Sequence, residues 1–231
     1  MNSPGPRVSV ILATYNQARF LAESIESVLS QDFDDVEIIV VNDGSTDHTS
    51  EVASQFDDVI LIEQENLGQG AAVNNGVANA RGELIAFLDS DDLLAPDTLA
   101  MRVAMFDDDP DLQYSQGALV EFLCPTRSPD SANHRKVGHP RPGPISGTTM
   151  VRRQAQELVG GWSIDVKLSA FMDWLMKAKD LKLKSYQHQE VLLKRRLHDD
   201  NIGIRESASR SDYVRVLKLA LDRRRKSGQS D

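Results

Sequence analysis

The stretch Gly82-Glu-Leu-Ile-Ala-Phe-Leu-Asp-Ser-Asp-Asp92 joins a short apolar run to a cluster of carboxylates. Its apolar part, Leu84 to Leu88, has the length and composition of a strand that is buried on both faces of a parallel sheet. The aspartates that follow would stand at the carboxyl end of that strand, and this is the edge at which open α/β sheets bind ligands. The stretch therefore predicts both a fold class and the place of a site.

Similar units precede this stretch along the chain. Apolar, β-branched runs predict strands at Val8–Ala13, Val36–Val41 and Val59–Ile62. The segments between them carry apolar residues at helical spacing, as from Phe20 to Leu29. Alternating strands and helices of this length imply right-handed βαβ crossovers. We therefore expect an α/β fold with a Rossmann-like, mainly parallel sheet flanked by helices.

The second half has a different sequence pattern. Helices are predicted at 96–107, 154–159, 171–181 and 207–225, and extended segments at 112–123 and 191–197. Residues 124–147 are rich in proline and glycine, which predicts an irregular segment. We expect a single domain of residues 1–231, with a change of role near residue 108.

Composition excludes several classes of protein. Lys and Arg total 26 against 35 Asp and Glu, a formal charge of −9, so a broad electrostatic hold on nucleic acid is not expected. Cys124 is the only cysteine, which excludes an internal disulfide and a multi-cysteine metal site. Residues 1–7 do not form an apolar signal segment, and no run approaches the roughly 18 apolar residues of a membrane span. We expect a soluble, cytoplasmic protein.

Polar side chains follow each predicted strand of the first half. They are Thr14, Tyr15 and Asn16, then Asn42 to Ser45, then Asn66 and Gly68, and finally Asp89 to Asp92. Because the carboxyl ends of parallel strands meet at one edge, these groups should face a common crevice. The carboxylates of Asp89 to Asp92 repel one another, and a magnesium or manganese ion completed by a nucleotide diphosphate would relieve that repulsion.

Structural roles are the alternatives for each of these residues. The cluster at Asp89 to Asp92 is also typical of a solvated connection that caps the next helix. Asp43 has the sequence context of a turn or an N-cap. Tyr15 has the alternative of a packed aromatic side chain.

Four segments together resemble the signature blocks of family 2 glycosyltransferases. They are Val8-Ser-Val-Ile-Leu-Ala-Thr-Tyr-Asn16, Val41-Asn-Asp-Gly-Ser-Thr-Asp47, Asn66-Leu-Gly68 and Gly82 to Asp92. Their order and spacing match as well, and the match is close from Val8 to Leu99. The resemblance implies the GT-A fold and an inverting transfer of a sugar from a nucleotide-sugar donor to an acceptor hydroxyl. It also implies a donor-binding half, residues 8–107, and an acceptor-binding and catalytic half, residues 108–231.

The resemblance also implies roles for single residues. Tyr15 would pack on the base, Asp43 would accept a hydrogen bond from the ring of a uracil or thymine, and Asp89 would lie near the ribose and the metal. Asp91 would be a direct ligand of Mn²⁺ or Mg²⁺. The remaining residues expected at the nucleotide are Thr14, Asn16, Asn66, Gly68 and Ser90.

Two later segments complete the expected site. Phe171-Met172-Asp173-Trp174-Leu175 is similar to the block that carries the catalytic base of the family, with Met172 in place of a glutamate, so Asp173 is the candidate base. The alternative for Asp173 is a first-turn aspartate favoured by the helix dipole. Residues 194–201 are similar to an Arg-x-His block, in which His198 would be a metal ligand and Arg196 would face the diphosphate. A surface or packing role is the alternative for His198.

Features that the chain lacks narrow the expected function. The Gln-x-x-Arg-Trp signature of processive polysaccharide synthases is absent, which favours transfer of one sugar per encounter from a UDP- or dTDP-sugar. A nucleotidyltransferase is one alternative, but it would carry a glycine-rich first loop with Arg and Lys in place of Thr14-Tyr15-Asn16. A catalytically inactive nucleotide-sugar-binding protein is the other. Residues 124–147 would form either a lid on the acceptor side or a surface loop.

Overall fold

The computed structural model describes residues 5–125, 137–166, 169–199, 201 and 211–226. The strands are β1 Val8–Thr14, β2 Val36–Asp43, β3 Val59–Gln64, β4 Leu84–Phe87, β5 Leu93–Leu94, β6 Tyr114–Leu123, β7 Arg141–Pro142, β8 Met150–Arg152 and β9 Ser185–Leu197. The helices are α1 Ala18–Leu29, α2 Thr49–Ala53, α3 Gln69–Asn79, α4 Thr98–Asp108, α5 Arg153–Val159, α6 Ala170–Asp180 and α7 Ser211–Lys226, with a 3₁₀ turn at Ser146–Thr148.

The strands form a continuous sheet in the order β3-β2-β1-β4-β8-β6-β9-β5, with β7 paired to β6. Strands β1 to β4 are parallel, as the alternation of strands and helices predicts, and β1 lies between β2 and β4. Strand β8 is antiparallel to both β4 and β6 and so joins the two halves of the chain. The predicted α/β class with flanking helices is confirmed.

The parts of the fold that the sequence pattern missed are short. β5, β7 and β8 span two or three residues each, too few for a periodic pattern to be visible. Helix α2 begins only at Thr49, because the Asp47 carboxylate accepts a hydrogen bond from the backbone N–H of Thr49, 3.1 Å away, and so lies ahead of the helix. Residues 126–136 of the proline-rich segment and 207–210 of the predicted last helix lie outside the described residues.

Both faces of the sheet are covered, which explains why its central strands are apolar throughout. Alternate residues of β1 point to opposite faces, so Val10 belongs to one core and Ile11 to the other. Helices α1 and α4 cover the first face, and α3, α5, α6 and α7 contribute buried side chains to the second. At Gly76 of α3 a Cβ would lie 2.5 Å from Ile11 Cγ2, so this helix approaches the sheet more closely than a larger residue would allow.

None of the described helices is long and apolar enough to cross a bilayer.

Candidate functional site

A crevice of about 650 Å³ lies at the carboxyl ends of the parallel strands. This volume is in the range of small-molecule sites. The crevice is lined by eight of the residues that the sequence predicts for nucleotide or metal binding, namely Thr14, Tyr15, Asp43, Asn66, Gly68, Asp89, Ser90 and Asp91. The predicted convergence of the strand-end loops on one crevice is therefore present in the structure.

Asp43 holds the loop that follows β3. Its Oδ1 accepts hydrogen bonds from Gln64 Nε2 at 2.7 Å and from the Leu67 backbone N–H at 2.9 Å, and its Oδ2 accepts from the Gly68 N–H at 2.9 Å. Gly68 has a φ of +92°, which only glycine adopts readily, and α3 begins directly after it. Each carboxylate oxygen has two acceptor sites, so Oδ2 retains capacity for one donor from a ligand.

Thr14 and Gln17 present polar atoms that the protein itself does not satisfy. Both residues line the crevice, and Thr14 Oγ1 and Gln17 Oε1 are buried without a hydrogen-bond partner within the described residues. Buried polar atoms are seldom left unpaired, because their desolvation is costly. These two atoms are therefore available to a polar ligand or to ordered water.

Asn16 has a different place from the one that the sequence predicts. It does not line the crevice but joins the first two strand-end loops, because its Oδ1 accepts from the Thr46 N–H at 2.8 Å and its own N–H donates to Ser45 Oγ at 2.9 Å. Its backbone is left-handed, with a φ of +54°, a conformation that asparagine tolerates better than most residues. Asn16 thus supports the crevice wall from behind.

The carboxylates after β4 lie close enough to perturb one another. Burial, with the charge of Asp91 adding to it, raises the pKa of Asp89 to about 6, and the positive charge of Arg195 acts in the opposite direction. Burial and the charges of Asp91 and Asp89 likewise raise the pKa of Asp92 well above its usual value. This mutual repulsion is what a bound cation would relieve.

Asp92 is a structural member of this cluster. It is buried, and its Oδ1 accepts a hydrogen bond of 2.8 Å from the backbone N–H of Arg196. Its carbonyl oxygen accepts a second one of 2.7 Å from Ser24 Oγ on α1. These contacts fix the loop after β4 between α1 and β9.

Asp91 is held from behind by two residues near the end of β9. Its Oδ2 lies 2.8 Å from His198 Nε2 and 3.3 Å from Asn201 Nδ2, while its Oδ1 has no hydrogen bond within the described residues. His198 is only 1% exposed, does not line the crevice and packs against Phe20 with the two rings tilted by 45°. The structure thus brings the two predicted metal ligands together, with Asp91 in front and His198 behind it.

The donor set fits a hard divalent cation only in part. In the described ranges no group of three or more His, Cys, Asp or Glu side chains is arranged to hold a metal ion. Asp91 Oδ1 and the neighbouring Asp89 are oxygen donors of the kind that Mn²⁺ and Mg²⁺ prefer, but these ions usually take six ligands. An ion bound here would have to obtain the rest of its ligands from water and from a diphosphate.

Arg196, which the resemblance assigns to the diphosphate, does not line the crevice. Its Nε donates to the Asp91 carbonyl oxygen at 3.0 Å and its Nη2 to Glu23 Oε2 at 2.7 Å. Its guanidinium also lies between the rings of Phe20 and Phe122, 4.7 and 4.9 Å from their centroids. Arg196 therefore packs the loop after β4 against α1.

Within the described residues, Arg195 is the arginine that lines the crevice, and it is not among the residues predicted from the sequence. Successive side chains of a strand point to opposite sides, so Arg195 and Arg196 cannot both face the same site. The sequence alone does not show which face of β9 points to the crevice, and that face decides between the two arginines. Further crevice residues that the sequence analysis missed are Gln17, Leu67, Gln69, Ile164, Val166 and Asn201.

Asp173 is not brought to the crevice. It lies in the first turn of α6 and is 3% exposed. Its Oδ1 accepts from Arg223 Nη1 and its Oδ2 from Lys177 Nζ, both at 2.8 Å. This arrangement agrees with the structural alternative, a first-turn aspartate, and the role of Asp173 as a base stays a prediction that would require both ion pairs to open.

Proteins of similar sequence are glycosyltransferases, the class that the signature-like segments of this chain predict. The family model described as glycosyl transferase family 2 matches residues 9–159. An uncharacterized glycosyltransferase from Nostoc sp. is 46% identical over 105 residues, which is 43% of this chain and 33% of that protein. Glycosyltransferase GlyA from Streptococcus pneumoniae is 39% identical over 95 residues, which is 39% of this chain and 14% of that protein. The chain thus spans about a third or less of the length of these two relatives.

Solved structures share the fold. The crystal structure of Staphylococcus aureus TarS 1–349 superposes with a TM-score of 0.72 at 21% identity, over 93% of this chain and 64% of that one. The mannosyltransferase PcManGT from Pyrobaculum calidifontis, in complex with GDP-Man and Mn²⁺, has a TM-score of 0.64 at 24% identity, over 83% of this chain and 57% of that one. Because the family model covers well over half of the chain and the expected GT-A fold is confirmed, this chain belongs to glycosyl transferase family 2.

Proposed function

We propose that this protein transfers one sugar from a UDP- or dTDP-sugar to an acceptor hydroxyl, with inversion at the anomeric carbon and with the help of Mn²⁺ or Mg²⁺. The observation that carries the proposal is the crevice, in which Tyr15, Asp43, Asp89 and Asp91 lie together. These side chains supply, in order, a surface for a base, an acceptor for a ring N–H and oxygen ligands near a diphosphate. Residues 8–107 would bind most of the donor, and residues 108–231 would bind the acceptor and supply Arg195 to the donor diphosphate.

The proposed donor class rests on Asp43 and on the relatives. A carboxylate oxygen with a free acceptor site suits the ring N–H of uracil or thymine. Among the solved structures of similar fold, TarS has been crystallised with UDP and with UDP-GlcNAc, and PcManGT is in complex with GDP-Man and Mn²⁺. GDP is therefore the informative comparison ligand for a test of base preference.

Binding of the diphosphate would fall to Arg195 and the aspartate loop. Arg195 is the cation that lines the crevice, and its guanidinium suits phosphate oxygens. Asp91, with His198 behind it, would hold the metal ion, which would stabilise the charge that develops on the leaving diphosphate. Tyr15 and Asp43 would hold the base, so that the donor lies with its phosphates toward Arg195.

The transfer itself requires a proton acceptor. The acceptor oxygen forms a bond to the anomeric carbon, the bond between that carbon and the diphosphate oxygen breaks, and the hydroxyl proton must leave. Asp173 is the base that the resemblance implies, yet both of its oxygens are in ion pairs and it does not line the crevice. In this conformation Asp173 cannot take that proton.

The burial of Asp173 favours one second candidate, a nucleotide-sugar-binding protein without transferase activity. Such a protein would bind UDP with the same residues but would neither transfer nor hydrolyse the sugar. The nucleotidyltransferase alternative has no comparable observation in its favour.

A cytoplasmic location remains a prediction from the sequence.

The test is a calorimetric titration of UDP, dTDP and GDP into metal-free protein and into protein with added MnCl₂. We expect UDP or dTDP to bind more tightly with manganese and more tightly than GDP, and we expect Asp91→Ala to remove the effect of manganese. If none of the three nucleotides binds, the proposal is refuted. Release of UDP from a panel of UDP-sugars, with and without acceptors, then distinguishes the transferase from the inactive binding protein.

A further inference from the structure

Three neighbouring strands place two arginines around one buried glutamate beside the crevice. β7, β6 and β9 lie side by side, with Arg141 opposite Leu119 and Glu121 directly opposite Arg195. Side chains that are paired across strands point to the same face of a sheet. Glu121 therefore stands next to Arg195, the cation that lines the crevice.

Glu121 binds its two partners unequally. Its carboxylate is only 2% exposed, and Oε1 accepts a hydrogen bond of 2.7 Å from Arg141 Nη2, whereas Arg195 Nη1 lies 3.8 Å away. The Arg141 contact compensates the buried charge, because an unpaired carboxylate in this position would be strongly destabilising. The longer contact attracts Arg195 without a direct hydrogen bond, so Glu121 keeps the guanidinium nearby and does not engage its N–H groups.

Arg195 also has competing partners on the other side. Its positive charge acts on both Asp89 and Asp92, so these carboxylates lie within electrostatic reach of the guanidinium. The carboxylates of Asp89, Asp91 and Asp92 line the same crevice as Arg195. In the absence of Glu121, that cluster would draw Arg195 across the place that a diphosphate and its metal ion would take.

We propose that Glu121 is a positioning residue, which holds the Arg195 side chain beside the crevice and off the Asp89–Asp92 cluster, so that Arg195 is available to a nucleotide diphosphate. The inference rests on the proposed nucleotide site. The inference predicts that loss of the Glu121 charge weakens UDP binding. A simple charge effect would do the opposite, because removal of a negative charge near the site would by itself strengthen the binding of an anion. A weaker affinity for UDP in Glu121→Gln therefore separates positioning from charge.

The first arm of the test measures UDP affinity in the presence of manganese. Arg195→Met should weaken binding by about 10-fold or more, since a charge-assisted contact is lost. Glu121→Gln should weaken it by roughly 3- to 10-fold, and the double variant should bind no worse than Arg195→Met alone, since Glu121 acts only through Arg195. Glu121→Asp, which keeps the charge but withdraws it by one methylene, should fall between wild type and Glu121→Gln, and it is the second variant to use if Glu121→Gln does not fold.

Glu37 offers a matched control at the opposite end of the sheet. It is also a buried strand glutamate, and it pairs with Arg81 at 2.9 Å, but it lies beside Ser9 near the start of β1, far from the carboxyl ends. Glu37→Gln should lower stability and leave UDP affinity unchanged.

The second arm is a crystal structure of Glu121→Gln, which does not depend on nucleotide binding. We expect the Arg195 guanidinium to move toward Asp89, and an unmoved guanidinium would overturn the inference. Unchanged or tighter UDP binding by Glu121→Gln, or additive losses in the double variant, would overturn it as well. If wild-type protein binds no UDP, the proposed function fails, and the position of Arg195 in the crystal still decides this inference.

Discussion

The Nε2 atom of His198 lies 2.8 Å from Oδ2 of Asp91, and its Nδ1 lies 3.2 Å from the guanidinium of Arg19. A guanidinium only donates hydrogen bonds, so Nδ1 of His198 accepts and Nε2 carries the proton that is donated to Asp91. The imidazole thus orients the carboxylate and leaves Oδ1 facing the crevice. A cation bound at this site would meet Asp91 directly, and His198 would support that carboxylate.

The first prediction separates these two roles. Asp91→Ala should abolish the manganese dependence of UDP binding, because it removes the oxygen ligand. His198→Ala should reduce that dependence by about 10- to 100-fold, the usual cost of losing a group that orients a ligand. Calorimetry with and without MnCl₂ measures both effects, and His48→Ala, at a side chain that is 87% exposed, is the control. Equal losses in Asp91→Ala and His198→Ala would instead identify His198 as a direct ligand.

The second prediction follows from the divided role of Asp43. Asp43→Asn should weaken UDP binding by roughly 10-fold or more, because the charge-assisted acceptor for the ring N–H is lost. UDP methylated at N3 lacks that N–H, so wild type and Asp43→Asn should bind this analogue with similar affinity. A calorimetric comparison of UDP and N3-methyl-UDP on both proteins provides the measurement.

Asp43 also holds the loop after β3, so that effect needs its own control. Gln64→Met removes the 2.7 Å hydrogen bond to Asp43 Oδ1 and leaves the carboxylate in place. It should change UDP affinity by less than about threefold, since the backbone bonds from Leu67 and Gly68 remain. If Gln64→Met matched Asp43→Asn, loop support would be the main role of Asp43.

The third prediction compares adjacent arginines on β9. Arg196→Met removes a buried guanidinium that bonds the Asp91 carbonyl oxygen and Glu23 and packs between two rings. It should lower the free energy of unfolding by about 2 kcal/mol, the scale of hydrogen bonds that involve a charged group. Arg195→Met should leave stability nearly unchanged and weaken UDP binding. Urea denaturation measures the stability of the two variants, and calorimetry measures their UDP affinity. If Arg196→Met weakened UDP binding and Arg195→Met lowered stability, Arg196 would be the arginine that binds the diphosphate.

The sequence was sufficient for the parallel half of the fold and for most of the crevice, for physical reasons. A strand buried on both faces must be apolar, and a parallel sheet must gather its polar loops at one edge, so Asp43, Asp89 and Asp91 could be placed together without coordinates. The resemblance added the chemical roles that these positions suggest. Both inferences depend on local sequence.

What the sequence missed depends on long-range contacts. The choice between Arg195 and Arg196 depends on which face of β9 points to the crevice, and the pairing of β9 with β6 and with β5 fixes that face. Asn16 has the sequence context of a crevice residue, yet its bonds to Ser45 and Thr46 join two loops about thirty residues apart. Asp173 was placed by its neighbours in sequence, whereas its environment is set by Arg223, 50 positions later on α7.

The last prediction concerns Asp173. Asp173→Asn leaves the side chains of Lys177 and Arg223 without their shared carboxylate, and both cations are about a third exposed, so water compensates part of the loss. The variant should lower the free energy of unfolding by about 2 kcal/mol, less than the loss for a fully buried pair. Turnover per folded molecule should change by less than about threefold, because Asp173 does not reach the crevice. Thermal denaturation and steady-state transfer, measured well below the melting temperature, give the two quantities.

Lys177→Met is the matched control, since it breaks the same pair from the other side without touching the carboxylate. If Asp173 is structural, both variants should lose stability, and turnover should be nearly unchanged in both. If Asp173 is the base, only Asp173→Asn should lose about 10² to 10⁴ in turnover, and the ion pairs on α6 must then open when the acceptor binds. Loss of turnover confined to Asp173→Asn would therefore show that the conformation described above is not the one that reacts, and similar turnover in both variants would mean that another group accepts the proton.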